Sequence, residues 1–195
     1  ICKAGHEGRA GIQIDVAADT YYNKEDGKYY GLFTKDPKDK YEMMDLYKQM
    51  VADYPVIIIE DPFHENDYES HAQLTKEVDI QIVGDDLFTT NPERVAHGAE
   101  MGAGNTVLLK VNQIGTISEA LEMIQLAYSK GMAVMPCESR GEGATIADYS
   151  VGINAGSVRE SAVGEIANRF LEIEKELGTK AKFLGPKGLK GKRFQ

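Results

Sequence analysis

The sequence predicts a parallel α/β fold, part of a TIM-type (β/α)8 barrel, and three observations carry that reading. Short apolar runs alternate along the chain with segments whose apolar residues recur at helical intervals. Four of those runs end abruptly in a charged residue. Three of the charges, Glu60, Asp85 and Lys110, follow one another at intervals of 25 residues, the length of one strand, one helix and two loops.

The first run is Gly11-Ile12-Gln13-Ile14-Asp15. Residues 21–30 form a hairpin-like excursion, with two tyrosine pairs flanking a turn at Asp26-Gly27. A charged loop over 35–40 leads to a helix over 41–51. Val56-Ile57-Ile58-Ile59, β-branched throughout and ending at Glu60, reads as a strand buried on both faces, as in a parallel sheet. Helices over 68–77, 92–101 and 117–130 alternate with the strands Ile80 to Asp85 and Thr106 to Lys110. Asn91-Pro92-Glu93 and Thr116-Ile117-Ser118-Glu119 are helix starts, one with proline at the first helical position and one with a small hydroxyl residue at the cap. A short strand over 133–135, a helix over 145–151, a final strand at Ser157-Val158-Arg159 and a helix over 163–177 stopping at Gly178 complete the chain. Six strands in 195 residues fall short of the roughly 250 residues of a complete eight-stranded barrel. The expectation is a single, incomplete barrel region spanning residues 1–195.

At 42% hydrophobic and 27% charged residues, with no apolar stretch long enough to span a bilayer, the composition is that of a globular domain that crosses no membrane. The net charge of -9 argues against sequence-independent nucleic-acid binding, and the basic tail Lys187, Lys190, Lys192, Arg193 reads as a solvated terminus. Two cysteines and no secretory signal point to a reducing, cytoplasmic setting. The opening Ile1, in place of Met, reads as a cut from a longer chain.

Charges at the carboxyl ends of parallel strands lie where such folds build their sites. Carboxylates converging at one mouth repel one another unless a cation lies between them, and hard Mg²⁺ suits oxygen ligands. Asp15, Glu60 and Asp85 are therefore the candidate Mg²⁺ ligands. A lysine beside such a metal has its ammonium form disfavoured and can serve as a general base, which makes Lys110 the candidate base. The competing reading, that strand-end carboxylates only cap the following helices, fails for Lys110, whose charge has the wrong sign for a helix start.

These residues resemble a family. Ile59-Glu60-Asp61-Pro62-Phe63, Val83-Gly84-Asp85-Asp86-Leu87 followed by Thr90-Asn91-Pro92, and Leu108-Leu109-Lys110-Val111-Asn112-Gln113-Ile114-Gly115 look like the signature segments of the enolases. Ala4-Gly5-His6-Glu7-Gly8 and Leu171 to Gly178 are similar as well. The resemblance covers the family's C-terminal barrel from about the third strand to the eighth. It implies Mg²⁺-dependent dehydration of 2-phosphoglycerate to phosphoenolpyruvate, with metal at the positions of Asp15, Glu60 and Asp85 and proton abstraction at Lys110. It further implies a small phosphorylated acid as substrate, and a homodimer for the full-length parent. The family's general acid and its companion glutamate lie on the early strands, and a loop ligating a second Mg²⁺ lies in an N-terminal domain; none of these has a counterpart here.

Within the matched region the substrate side departs from the family. Cys137-Glu138-Ser139-Arg140-Gly141-Glu142 stands where the family has Ser-His-Arg-Ser-Gly-Glu. Ser139 and Arg140 retain the means to hold a phosphate through charge-assisted hydrogen bonds. Glu138 must turn away, be protonated or face a different substrate, because a carboxylate and a phosphate about 4 Å apart repel by about 4 kcal/mol at an effective dielectric of about 20. Arg159 stands for the family's substrate-contacting lysine and brings a planar fork with it. These exchanges leave open a related enzyme acting on a different hydroxy acid, or a non-catalytic relative. His64 and His71 read as surface groups flanking a helix start, and Cys137 as a buried small residue.

Overall fold

The computed structural model describes residues 1–138, 141–159 and 163–194. Its centre is a five-stranded, all-parallel sheet built from β1 (Ile12–Asp15), β4 (Val56–Glu60), β5 (Gln81–Gly84), β6 (Thr106–Leu109) and β7 (Ala133–Pro136), in that spatial order. The antiparallel pair β2 (Tyr22–Asn23) and β3 (Lys28–Tyr29) is the expected hairpin, with Gly27 at φ 72° in its turn.

Helices cross over between successive strands. α1 (Lys40–Asp53), α2 (Tyr68–Glu77), α3 (Pro92–Met101) and α5 (Ile117–Ser129) follow the predicted order, and their starts are chemically explicit. Asp39 accepts from the amides of Tyr41 and Glu42 while Glu42 accepts from the Asp39 amide, a reciprocal capping box. Asn91 and Thr116 cap α3 and α5 where the sequence placed those starts. A one-turn helix, α4 (Val111–Ile114), is too short to leave a periodic signal. α6 (Thr145–Gly152) and α7 (Gly164–Leu177) pack on each other, with Arg169 of α7 forked onto Asp148 of α6.

Both faces of the sheet are covered, which is why its strands read as unbroken apolar runs. Ile59, Val107, Leu109 and Val134 point outward into the layer beneath the helices, whereas Ile58, Val83, Leu108, Met135 and Cys137 form an inner cluster. Most of these side chains are fully buried, and each contributes roughly 1.5–3 kcal/mol.

Among the described residues, the expected final strand is represented by one parallel bridge, Cys137 with Arg159, beside β7. The nearby Gly156 lies directly against the backbone of Gly188, where a Cβ would meet the Gly188 carbonyl oxygen at 1.8 Å, so the returning tail takes the space beside this segment. That tail keeps Lys187, Lys192 and Arg193 exposed, as expected, but it is docked on the barrel region. Leu189 packs on the inner cluster, the Lys190 amide donates to Gln81, the Arg193 amide donates to the Asp79 carbonyl, and the Arg193 guanidinium reaches Asp79 and the Val56 carbonyl. Acceptors at the starts of β4 and β5, the buried Val56 and Gln81 and the partly exposed Asp79, anchor it there.

His71 is no surface group. It is fully buried, its ring edge-on to Phe63 and its Nδ1 at 2.8 Å from the Asp67 carbonyl, and burial pushes its pKa down to about 4.

Candidate active site

Period-2 geometry dictates where the strand-end charges go. The inward residues Ile58, Val83 and Leu108 are followed two positions later by Glu60, Asp85 and Lys110, so the alternation that fills the inner cluster carries each charge to the same mouth. On β1, Ile12 and Ile14 join the outer layer, which leaves Gln13 and Asp15 on the inner side. Asp15 is the direct register partner of Glu60.

Glu60 is fully buried, and Arg159 clamps it. One guanidinium nitrogen stands 2.8 Å from Glu60 Oε1 and the other 2.8 Å from Asp15 Oδ2, while Gln13 donates to Glu60 Oε2 at 3.3 Å. Burial pushes the Glu60 carboxyl up to about 8; the charges of Asp15, Asp61 and Asp85 push the same way, and Arg159 pulls back.

Asp85 is shared between two donors. The Lys110 ammonium is bound to its Oδ2 and Gln113 donates to its Oδ1 at 2.6 Å. Gln113 is itself oriented by the buried Thr90, whose hydroxyl donates to Gln113 Oε1 at 2.9 Å and accepts from the Lys110 amide at 3.0 Å. Burial works against the Lys110 charge, but the hydrogen bond and charge of Asp85 outweigh it, so the ammonium is held more tightly than in free lysine. The expectation of a lysine with a disfavoured ammonium therefore does not describe this state, because the nearest carboxylate pairs with Lys110 directly.

Asp61 does a different job. In left-handed backbone at φ 42°, it accepts from the amides of Asp85 at 3.0 Å and Asp86 at 2.9 Å, with Leu87 at 3.5 Å, and so shapes the loop that presents Asp85. Burial pushes its carboxyl up to about 8 against the pull of those amides.

A metal test follows from the donors. Oxygens of Asp15, Glu60 and Asp61 lie within 4.8 Å of one another, and those of Asp61, Asp85 and Asp86 form a second such group. The two groups share Asp61, so among the described residues the expected ligands Asp15, Glu60 and Asp85 do not form a single group: Asp61 stands between Asp85 and the other two. All donors are carboxylates, which fits a hard divalent cation. Ser139 and Arg140 lie outside the described residues. Glu138 turns its carboxylate onto its own loop, accepting from the Gly141 amide at 3.2 Å.

Comparison with known proteins decides the lineage. The model of the family described as "Enolase, C-terminal TIM barrel domain" matches residues 1–192. The chain belongs to the enolase C-terminal barrel family. It is 48% identical over 183 residues to the enolase of Methanocaldococcus jannaschii, covering 90% of this chain and 42% of that protein. It is 45% identical over 204 residues to the enolase of Bifidobacterium animalis subsp. lactis, covering 99% of this chain and 47% of that protein. The chain thus spans less than half the length of these curated relatives.

In this enolase-family barrel region, sequence reasoning missed Gln13, Asp61, Thr90 and Gln113. Gln113 left one signal, since it lies three residues after Lys110 on the α4 turn and hence on the same side. Asp61 and Thr90 left none, because their roles rest on contacts 18–26 residues away in sequence. His64, the other histidine of the sequence reading, pairs with Asp19 at 3.3 Å on the loops beyond β1 and β4. No helix among the described residues is long and apolar enough to cross a membrane.

Proposed function

We propose that this chain supplies the metal-binding and base-bearing part of an enolase, a hydro-lyase of glycolysis that dehydrates 2-phosphoglycerate to phosphoenolpyruvate with Mg²⁺. The observation that supports this most is Lys110 paired with Asp85 at the same mouth as the Asp15 and Glu60 carboxylates, in a chain of that family. The proposed Mg²⁺ ligands are Asp15, Glu60 and Asp85. When bound, Mg²⁺ would supply the positive charge that a doubly charged enediolate needs and would occupy the negative charge of Asp85.

The chain's own residues account for the rest. Lys110 accepts the proton α to the substrate carboxylate once its ammonium has lost its proton, a change that its bond to Asp85 opposes. Gln113 keeps Asp85 Oδ1 oriented while Lys110 leaves Oδ2, and Thr90 holds both Gln113 and the Lys110 backbone in place. Ser139, Arg140 and Arg159 are the proposed contacts to the phosphorylated acid. The general acid would come from outside the matched barrel strands. A cytoplasmic setting and a homodimer of the complete protein belong to the same proposal.

A second reading keeps the proton abstraction but changes the hydroxy acid. It is favoured by Glu138 and Arg159 standing where the family has histidine and lysine. The test uses the complete protein that contains this chain and follows phosphoenolpyruvate absorbance from 2-phosphoglycerate, with and without Mg²⁺. Metal-dependent turnover that Lys110→Ala abolishes supports the first reading. Mg²⁺ binding without turnover supports the second.

A further inference from the structure

We infer that Arg159 is the resident counter-cation of the Asp15–Glu60 pair, and that a divalent cation enters this pair only by displacing it. The inference rests on the proposed metal site and adds a competitor built into the same chain.

Arg159 comes from the segment beside β7, at the far end of the sheet from β1, yet its two terminal nitrogens each meet a different carboxylate at 2.8 Å. The contacts therefore span 99 and 144 residues of chain and join the first and last parts of the arc across the mouth. The carboxylates it joins are those whose oxygens approach one another within 4.8 Å, the spacing a metal ion would use. Glu60 has no exposed surface and the Arg159 side chain is 17% exposed, so water screens this contact poorly. A planar guanidinium bridges two acceptors in a way that the point charge of an ammonium does not, which ties the clamp to arginine at this position.

The guanidinium already neutralises Glu60 Oε1 and Asp15 Oδ2, and a divalent cation placed among the same carboxylates is repelled by it, so metal uptake is an exchange. The displaced Arg159 then offers its fork to an anion at the mouth.

The test is titration with Mn²⁺ of the complete protein that contains this chain, followed by calorimetry and by the electron paramagnetic resonance signal of free Mn²⁺. Wild type, Arg159→Met and Arg159→Lys are compared, with Glu60→Gln added to each, and circular dichroism checks folding. Arg159→Met is expected to bind Mn²⁺ at least tenfold tighter than wild type, with Arg159→Lys in between; if circular dichroism shows Arg159→Met unfolded, Arg159→Lys carries the comparison. Equal or weaker binding in the folded Arg159 variants, with Glu60→Gln still abolishing it, overturns the clamp and leaves the metal site standing. Binding that Glu60→Gln leaves unchanged, or no binding in any variant, overturns the site itself and the clamp with it.

Discussion

Asp85 divides its two carboxylate oxygens between Lys110 and Gln113, and that division governs what Lys110 can do. Replacing Gln113 with Leu frees Oδ1, lets Asp85 rotate and strengthens its hold on the ammonium. The expected result is a fall in kcat of about ten- to a hundredfold with the melting temperature little changed, less than the about 10²–10⁴-fold of losing a general base outright, because Lys110 is hindered and not removed. Steady-state kinetics with thermal melts checks it. Strain marks the same place: Thr89 and Thr90 both sit in left-handed backbone, at φ 47° and 55°, a conformation β-branched residues rarely adopt and one that costs about 1–3 kcal/mol per residue. His71 carries a prediction of another kind. Its folded pKa of about 4 lies below the ordinary 6.5, so the unfolded chain takes up a proton first as pH falls. The His71 contribution to stability is therefore full above about pH 6.5 and declines toward pH 4, by about 2 kcal/mol between pH 7 and pH 5. Glu60 and Asp61, raised to about 8, contribute with the opposite sign over this range, so the His71 share is read as the difference in urea midpoints between wild type and His71→Leu, which should shift in favour of His71→Leu from pH 7 to pH 5.

Among the elements, what could be read in advance was local. Asn91-Pro92 and Thr116 announced their helices because a cap and the amides it serves lie within three residues. The capping box at Asp39 and Glu42 has the same range, and Asp39→Ala is expected to cost about 1 kcal/mol in chemical denaturation. The links between elements were not legible. Arg94 ties α3 to the loops after β4 and β5 through the carbonyls of Leu87 at 2.7 Å and Glu65 at 2.6 Å and the side chain of Asn66 at 3.1 Å. No spacing in the sequence encodes those partners. The close approach of the tail to the last β-type segment, Gly188 against Gly156, likewise has no local signal.

For the molecule as a whole, the 25-residue interval and the apolar alternation disclosed the parallel sheet and the mouth at its carboxyl end, because both are properties of a repeating unit. What closes the arc was hidden in contacts between distant residues. Arg159 spans the mouth, and the tail from Gly185 to Phe194 covers the opposite end with Leu189 on the inner cluster. Deleting residues 185–195 exposes that cluster and leaves Gln81 and Asp79 without these partners. A fall in melting temperature of more than about 5 °C is expected in a differential scan, since each kcal/mol lost lowers it by about 2–4 °C in a chain of this size. On the proposed function, this mouth removes a proton α to a carboxylate. The most direct measurement is exchange of the α-proton of 2-phosphoglycerate with deuterated solvent, read by proton NMR, in the complete protein with Mg²⁺ and its Lys110→Ala variant. Exchange that requires Mg²⁺ and disappears with Lys110→Ala is the predicted result; exchange that persists in Lys110→Ala would contradict it.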